Sequence, residues 1–267
     1  MTGPRLFATL DGYAVEGGYD GLTGPTTCYA PSIALDRLAG PATSGIFDEY
    51  EAVLDAAAGL GLDGVRLSVE WTRVEPRRGE VDESALARYG AVVEHARDLG
   101  LSVTIVLFDA VWPLWTGLEA WLLPWVAPTA IAHGLRVARA LTAADGVIVA
   151  PRAADLVSEG FLEGTAPPFR RAATLDAARA HAALSGIVST LAEDDAINAR
   201  VVDSWRELRL DVAPVGAASV VASGVGEVHL RSLVAGSGPT AVTTGLLARR
   251  DGVWAPSEAA ALLGLLR

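Results

Sequence analysis

The sequence predicts an α/β protein, a TIM-barrel-like (β/α)8 fold with a shortened, irregular C-terminal third. Up to Ala150, short and nearly continuous apolar runs alternate with segments of helical periodicity, the pattern of a parallel sheet buried on both faces. The length of 267 residues is near that of one such barrel, so residues 1–267 are expected to form a single domain. An apolar fraction of 51% with 20% charged residues suits a compact soluble chain.

The elements follow in order. LFATL (Leu6 to Leu10) is a first buried strand, ending at the turn-prone Asp11-Gly12 pair. Ile46 to Leu60 is a helix that stops at Gly61, and GVRLSVEW (Gly64 to Trp71) is a second strand. A helix over Ser84 to Leu99 ends at Gly100, and LSVTIVLF (Leu101 to Phe108) is the third strand. Thr129 to Leu141 is helical and GVIVA (Gly146 to Ala150) is the fourth strand. Beyond residue 170 the pattern weakens. Leu175 to Leu191 is a helix and INARVV (Ile197 to Val202) a fifth strand, with LDVAPV (Leu210 to Val215), EVHLRSLV (Glu227 to Val234) and TAVTTGLL (Thr240 to Leu247) as candidates for the rest. Pro256 to Leu266 reads as a last helix with proline at its start.

Composition excludes several classes. The net charge is -11 and no cationic run exists, so a nucleic-acid partner is not expected. No stretch approaches the roughly 18 apolar residues of a membrane span. One cysteine, Cys28, forbids an internal disulfide, and the four histidines, His95, His133, His181 and His229, are too scattered for a zinc site. All 21 basic residues are arginine, which rules out lysine Schiff-base chemistry. No glycine-rich phosphate loop follows a strand. Neither cofactor nor metal is therefore expected. MTGPRLFATLD carries no apolar signal core, so the cytoplasm is the expected compartment.

Four segments carry a family resemblance: YAVEGGYDG (Tyr13 to Gly21), GVRLSVEWTRVEPRRGEVDESALARY (Gly64 to Tyr89), VLFDAVWPLW (Val106 to Trp115) and AWLLPWVAPTAI (Ala120 to Ile131). They resemble the family 1 glycoside hydrolases, the β-glucosidase-like retaining enzymes on a (β/α)8 barrel. The resemblance implies two catalytic glutamates, one in an N-E-P motif after strand four and one in a T-E-N-G motif after strand seven, about 5 Å apart across the anomeric carbon. Val149, Ala150 and Pro151 stand at the first motif, so the acid is replaced by Ala150. TAVTTGLLA (Thr240 to Ala248) aligns either with the second, placing Thr244 at the nucleophile, or with strand eight. Neither alignment supplies a nucleophile. The sugar-binding side chains that the family carries are Ala14, Asp109, Ala110 and Val149 here, and Ala and Val cannot hydrogen-bond a hydroxyl.

A barrel of this kind does its chemistry at the C-terminal ends of its strands. There the sequence offers Asp109 as an acid/base, with Arg66 or Arg152 to hold developing negative charge, and Glu16, Glu70, Trp71, Ala110, Trp112, Trp115, Ala150 and Asp155 as lining. The same residues admit a plainer account: Asp109 ion-paired with Arg66 or Arg152, Arg152 on the surface, Trp71 in the packing, and Asp155 and Glu159 on a solvated helix turn. Loss of polar sugar contacts beside Trp112 and Trp115 points to a small apolar or aromatic ligand. The expected activity is a cofactor-independent isomerisation, cyclisation or elimination in specialised metabolism. A non-catalytic pseudoglycosidase that binds a small molecule or protein is the alternative, residual hydrolysis comes last, and a homodimer is compatible with each.

Overall fold

A computed structural model describes residues 5–21, 23–35, 37, 38, 45–201, 207–211, 227–231, 247–257 and 260. The strands are β1 (Arg5–Leu10), β2 (Gly64–Ser68), β3 (Ser102–Val106), β4 (Gly146–Ile148), β5 (Glu207–Asp211) and β6 (Glu227–Arg231). They form one parallel sheet in the order β4-β3-β2-β1-β6-β5. β1 to β4 run in sequence, as in a (β/α)8 barrel, while Glu227–Arg231 takes the place on the other side of β1, where a barrel closes. The helices between them are α1 (Gly12–Val15), α2 (Ala30–Ala34), α3 (Tyr50–Gly59), α4 (Trp71–Val74), α5 (Glu83–Asp98), α6 (Val126–Ala140), α7 (Ala153–Val157) and α8 (Thr174–Glu193).

Strand residues alternate between two faces. Leu6, Ala8, Leu10, Val65, Leu67, Val103, Ile105 and Val147 join the core cluster with the inner faces of the helices. The register places Phe7 beside Gly64, Thr9 beside Arg66, and Arg66 and Ser68 beside Thr104 and Val106 on the other face, the barrel interior. A Cβ on Gly64 would lie 2.3 Å from the Phe7 ring and 2.5 Å from the Ser102 carbonyl. Only glycine fits there.

The base of the sheet is fixed by side chains. Asp63, just before β2, accepts the Leu6 N–H (2.7 Å), and Asp145, just before β4, accepts the Val103 N–H (2.9 Å). α5 starts on Asp82, which accepts the Ser84 and Ala85 N–H groups at 3.0 Å, a helix N-cap. The Ser84 hydroxyl and those amides hold the Asp82 carboxyl below its usual range.

Two predicted elements differ. Over its described residues, 197–201, INARVV is not a continuous strand: Asn198–Arg200 is a 3-10 turn, and Val201 bridges in parallel to Val147 of β4. The Arg200 guanidinium donates to the carbonyls of Ala138 (2.8 Å) and Leu141 (3.0 Å) at the end of α6, and these bonds draw the segment into a turn. Pro256 ends a strand, and of the helix predicted over Pro256 to Leu266 only residues 256, 257 and 260 are described. The hairpin β7 (Leu247–Arg250) and β8 (Val253–Pro256) turns at Asp251 (φ 51°) and Gly252 (φ 81°), a two-residue Asp-Gly turn. It lies on α3, with Leu247 and Trp254 buried and Glu49 taking Arg249 (2.7 Å) and the Trp254 indole N–H (3.2 Å). Of the other late expectations, β5 and β6 overlap LDVAPV and EVHLRSLV; residues 212–215, 232–234, 240–246 and 261–266, with Thr244, lie outside the described residues.

Candidate functional site

The loops after β1 to β4 meet at one end of the barrel. Glu16, from the segment after β1, is 2% exposed. Its carboxylate accepts the hydroxyls of Tyr50 (2.8 Å), Tyr89 (2.7 Å) and Tyr19, and pairs with Arg73 Nε at 2.8 Å. Four donors fill a carboxylate's lone-pair sites. The Arg73 guanidinium also packs over the rings of Tyr19 (4.4 Å) and Phe47 (4.0 Å) and donates to the Gly17 carbonyl (2.6 Å). The structure thus places Glu16 in a closed structural network rather than on an open wall.

Glu70 sits at the end of β2 and is 4% exposed. It accepts the Tyr13 N–H on Oε1 (3.0 Å), while its own N–H donates to the Tyr89 hydroxyl (3.3 Å). A Cβ on Gly12 would fall 2.9 Å from Glu70 Oε1 and 3.1 Å from Glu16 Oε1. The two carboxyl groups therefore crowd one point, and only glycine leaves room for both. Burial first, then the negative charges of Glu16 and Asp109, push the Glu70 carboxyl well above its ordinary range.

Asp109, at the end of β3, is half-buried and accepts the Ser68 hydroxyl at 2.9 Å. Arg66 is buried (3% exposed) on β2, two residues below Ser68 on the same face. Arg152 turns to its own helix, pairing with Asp155 (3.4 Å) and Glu159 (3.0 Å). Its guanidinium pKa is raised by Glu159 and then Asp109, which outweigh its burial, so Asp109 acts on it through space. Ala110 and Ala150 are half-buried at the ends of β3 and β4.

The tryptophans are mostly structural. Trp112 is 1% exposed, donates to the Gly117 carbonyl (2.9 Å) and meets Trp121 edge-on at 5.5 Å. Trp71, 2% exposed, donates to Glu75 Oε2 (3.1 Å). Trp115 donates to the Glu75 carbonyl (2.8 Å) and packs between Trp71 and Trp125. Glu75 also caps the Gly79 N–H (2.8 Å). The EWTRVEPRRG run is thus a self-bonded support under the mouth. Trp71 and Trp112, expected to line the pocket, are core residues because their N–H groups find backbone and Glu75 partners inside.

Two features escaped the sequence. His133 on α6 is fully buried, stacked on Trp71 at 5.2 Å, and neither ring nitrogen has a hydrogen-bond partner among the described residues. Burial and then Arg136 lower its pKa to about 3, so the imidazole is neutral. The second is a ladder of half-buried rings: Tyr13 stacks on Tyr29 (5.7 Å, 18°), and Tyr29 meets Phe169 edge-on (6.4 Å, 77°). These residues come from separate loops, and no local pattern links them. Among the described residues, no group of three or more His, Cys, Asp and Glu side chains is placed to hold a metal ion, and no helix is long and apolar enough to cross a membrane.

No protein-family model matches the chain, and no curated protein does. Solved structures match in fold. The β-glucosidase from Trichoderma harzianum has a TM-score of 0.65 at 17% identity, over 77% of this chain and 46% of that one. The β-glycosidase from Pyrococcus horikoshii gives 0.56 at 19% identity, over 65% and 40%. The β-glucosidase from Thermotoga maritima, solved with a methoxycarbonyl-substituted glucoimidazole, gives 0.59 at 18% identity, over 72% and 47%. This chain spans about half the length of those proteins or less. Parallel sheet, strand order and these likenesses agree: the chain has the TIM-barrel fold of the β-glucosidases.

Proposed function

We propose that this chain is a shortened, remodelled relative of the family 1 glycoside hydrolases that has given up retaining hydrolysis and moves protons on a small substrate without a cofactor. The whole of 1–267 acts as one domain, in the cytoplasm, on a small molecule rather than on nucleic acid or membrane. The reaction is an isomerisation, cyclisation or elimination. One observation supports this reading: Glu70, whose carboxyl burial and then the charges of Glu16 and Asp109 push well above its ordinary range, stands near the half-buried carboxylate of Asp109, which Ser68 orients. An acid and a base whose surroundings differ are the two halves of acid/base catalysis. Arg66, buried below Ser68, supplies positive charge toward developing negative charge. Arg152 contributes less than the sequence suggested, since Asp155 and Glu159 already engage its donors. Ala150 at the end of β4 agrees with the loss of the hydrolytic acid.

The test uses two probes. 5-Nitrobenzisoxazole, whose ring opens when one C–H proton is removed, should turn over in the native protein and lose most of that turnover in Asp109→Asn. 4-Nitrophenyl β-D-glucoside should not be cleaved. Ring opening unaffected by Asp109→Asn, or saturable glucoside cleavage, would refute the reading. A second reading, a non-catalytic binding protein, draws on the burial of Trp112 and Trp121 in the core and on the occupied state of Arg152. It predicts that neither probe is turned over.

A further inference from the structure

The strand order brings to the mouth a carboxylate that local pattern hides. LDVAPV reads as a strand that opens at Leu210, which would leave Asp211 near the base of the sheet. The structure instead runs β5 from Glu207 to Asp211. Asp211 is thus its last residue, at the end where a barrel of this kind does its chemistry.

Register decides the face on which Asp211 falls. On β6, Val228 and Leu230 pair with Leu6 and Ala8 of β1, both in the core cluster, and on β5 Leu208 and Leu210 pair with Val228 and Leu230. The alternate residues, Glu207, Arg209 and Asp211 on β5 and Glu227, His229 and Arg231 on β6, share the face of Phe7 and Thr9, the barrel interior. Barrel interiors hold mostly branched apolar residues, so two strands polar at every position of that face depart from the pattern. Asp211 ends one row of it: Asp211 pairs with Arg231, the same register carries Arg231 to Thr9, and Thr9 pairs with Arg66. A carboxylate inside a fold needs cations and donors near it, and this row contains them.

Position around the ring sets what Asp211 can do. Asp109 follows β3, and the order β3-β2-β1-β6-β5 puts β5 four strands away, half a turn of an eight-strand ring. Strands about 4.8 Å apart and tilted about 36° close such a ring roughly 15 Å across. Carboxylates on opposite walls are then too far apart to bond each other and near enough to reach one small molecule between them.

We propose that Asp211 is a second acid/base residue of the candidate site, on the wall opposite Asp109, so that a small molecule in the mouth meets a proton acceptor on either side. The proposal rests on the proton transfer argued above and adds a residue to it. The step is the same for either carboxylate: the C–H bond breaks, its proton passes to a carboxylate oxygen, and its electron pair stays with the substrate.

Two experiments test it. In the first, Asp109→Cys/Asp211→Cys is treated with bismaleimidoethane and weighed intact by mass spectrometry; the native Cys28 is fully buried and stays out of the reaction. One reagent should bridge the two thiols, whereas Asp109→Cys/Leu210→Cys, with its second thiol on the core face, should not be bridged. In the second, ring opening of 5-nitrobenzisoxazole is followed against pH. Asp211→Asn should lower turnover at least about threefold, Asp211→Glu should recover most of it, and Asp109→Asn/Asp211→Asn should lie at least about tenfold below Asp109→Asn. The turnover that Asp109→Asn retains should rise with pH through one carboxylate ionisation. That rise should vanish in the double variant, an effect that loss of an interior ion pair alone would not produce. Bridging through Leu210→Cys instead of Asp211→Cys, or a double variant equal to Asp109→Asn, would overturn the proposal. Turnover lost in Asp109→Asn but unmoved by Asp211→Asn would leave the reaction standing and remove Asp211 from it. A native protein inert toward the probe would sink the reaction and this role together.

Discussion

Replacing His133 with leucine separates one buried imidazole from every other titrating group in the protein. His133 is neutral in the fold with a pKa of about 3, whereas an unfolded histidine titrates near 6.5. Between those values the unfolded chain binds the extra proton, so stability falls as pH falls from about 6.5 toward 3. At pH 5 the unfolded state gains about 2 kcal/mol by protonating this residue, and at pH 8 almost nothing. The assay is urea unfolding of native protein and His133→Leu at both pH values. The loss between pH 8 and pH 5 should be about 2 kcal/mol smaller in the variant, since all other groups cancel in the comparison. At pH 8 leucine should cost little, because it replaces two unpartnered buried nitrogens, and such groups carry about 1–3 kcal/mol of desolvation when left unpaired. An equal pH dependence in the two proteins would refute the reasoning: His133 would then be protonated in the folded state or open to water.

Two further outcomes follow from the buried carboxyl groups. Glu16→Gln takes away the charge that Arg73 pairs with and three tyrosines donate to; urea unfolding should show a loss of about 3 kcal/mol, the range for breaking a buried pair, and a loss under 1 kcal/mol would mean the network contributes little. Glu70 has a raised folded pKa, so its contribution to stability is fully present below about 4.5 and declines as pH rises above that. Glu70→Gln should therefore cost most at pH 4 and least at pH 8, measured by the same unfolding series; a cost that grows with pH would reverse the assignment.

Much of the barrel could be read from local pattern. LFATL, GVRLS and SVTIV are short apolar runs whose alternate residues do enter the core, and the helix expected over Ser84 to Leu99 stops before Gly100, while the structure starts it at Glu83 on the Asp82 cap. The described part of INARVV turns at Asn198–Arg200 because Arg200 bonds carbonyls on α6, some 60 residues away in sequence, and no window shows that. The hairpin carries a strong local turn pair at Asp251-Gly252, while its second strand runs into Pro256, a residue type that also opens helices. At the mouth, position along the chain told where Asp109, Glu70 and Arg152 lie but not what they bond. Glu16 and Glu70 depend on the gap at Gly12, and Trp112 and Trp71 on indole partners inside the core. The Tyr13, Tyr29 and Phe169 rings meet only through tertiary structure.

Asp63 and Asp145 carry a consequence for how such a barrel changes over evolutionary time. Each joins two neighbouring strands at the base, β1 with β2 and β3 with β4, and the Asp63 carbonyl accepts the Ser102 N–H of β3 (3.0 Å), so β1 to β4 are fastened as one four-strand unit. A unit that carries its own staples keeps its alignment while the chain that follows it is shortened or replaced. The heritable module is then the first half of the barrel.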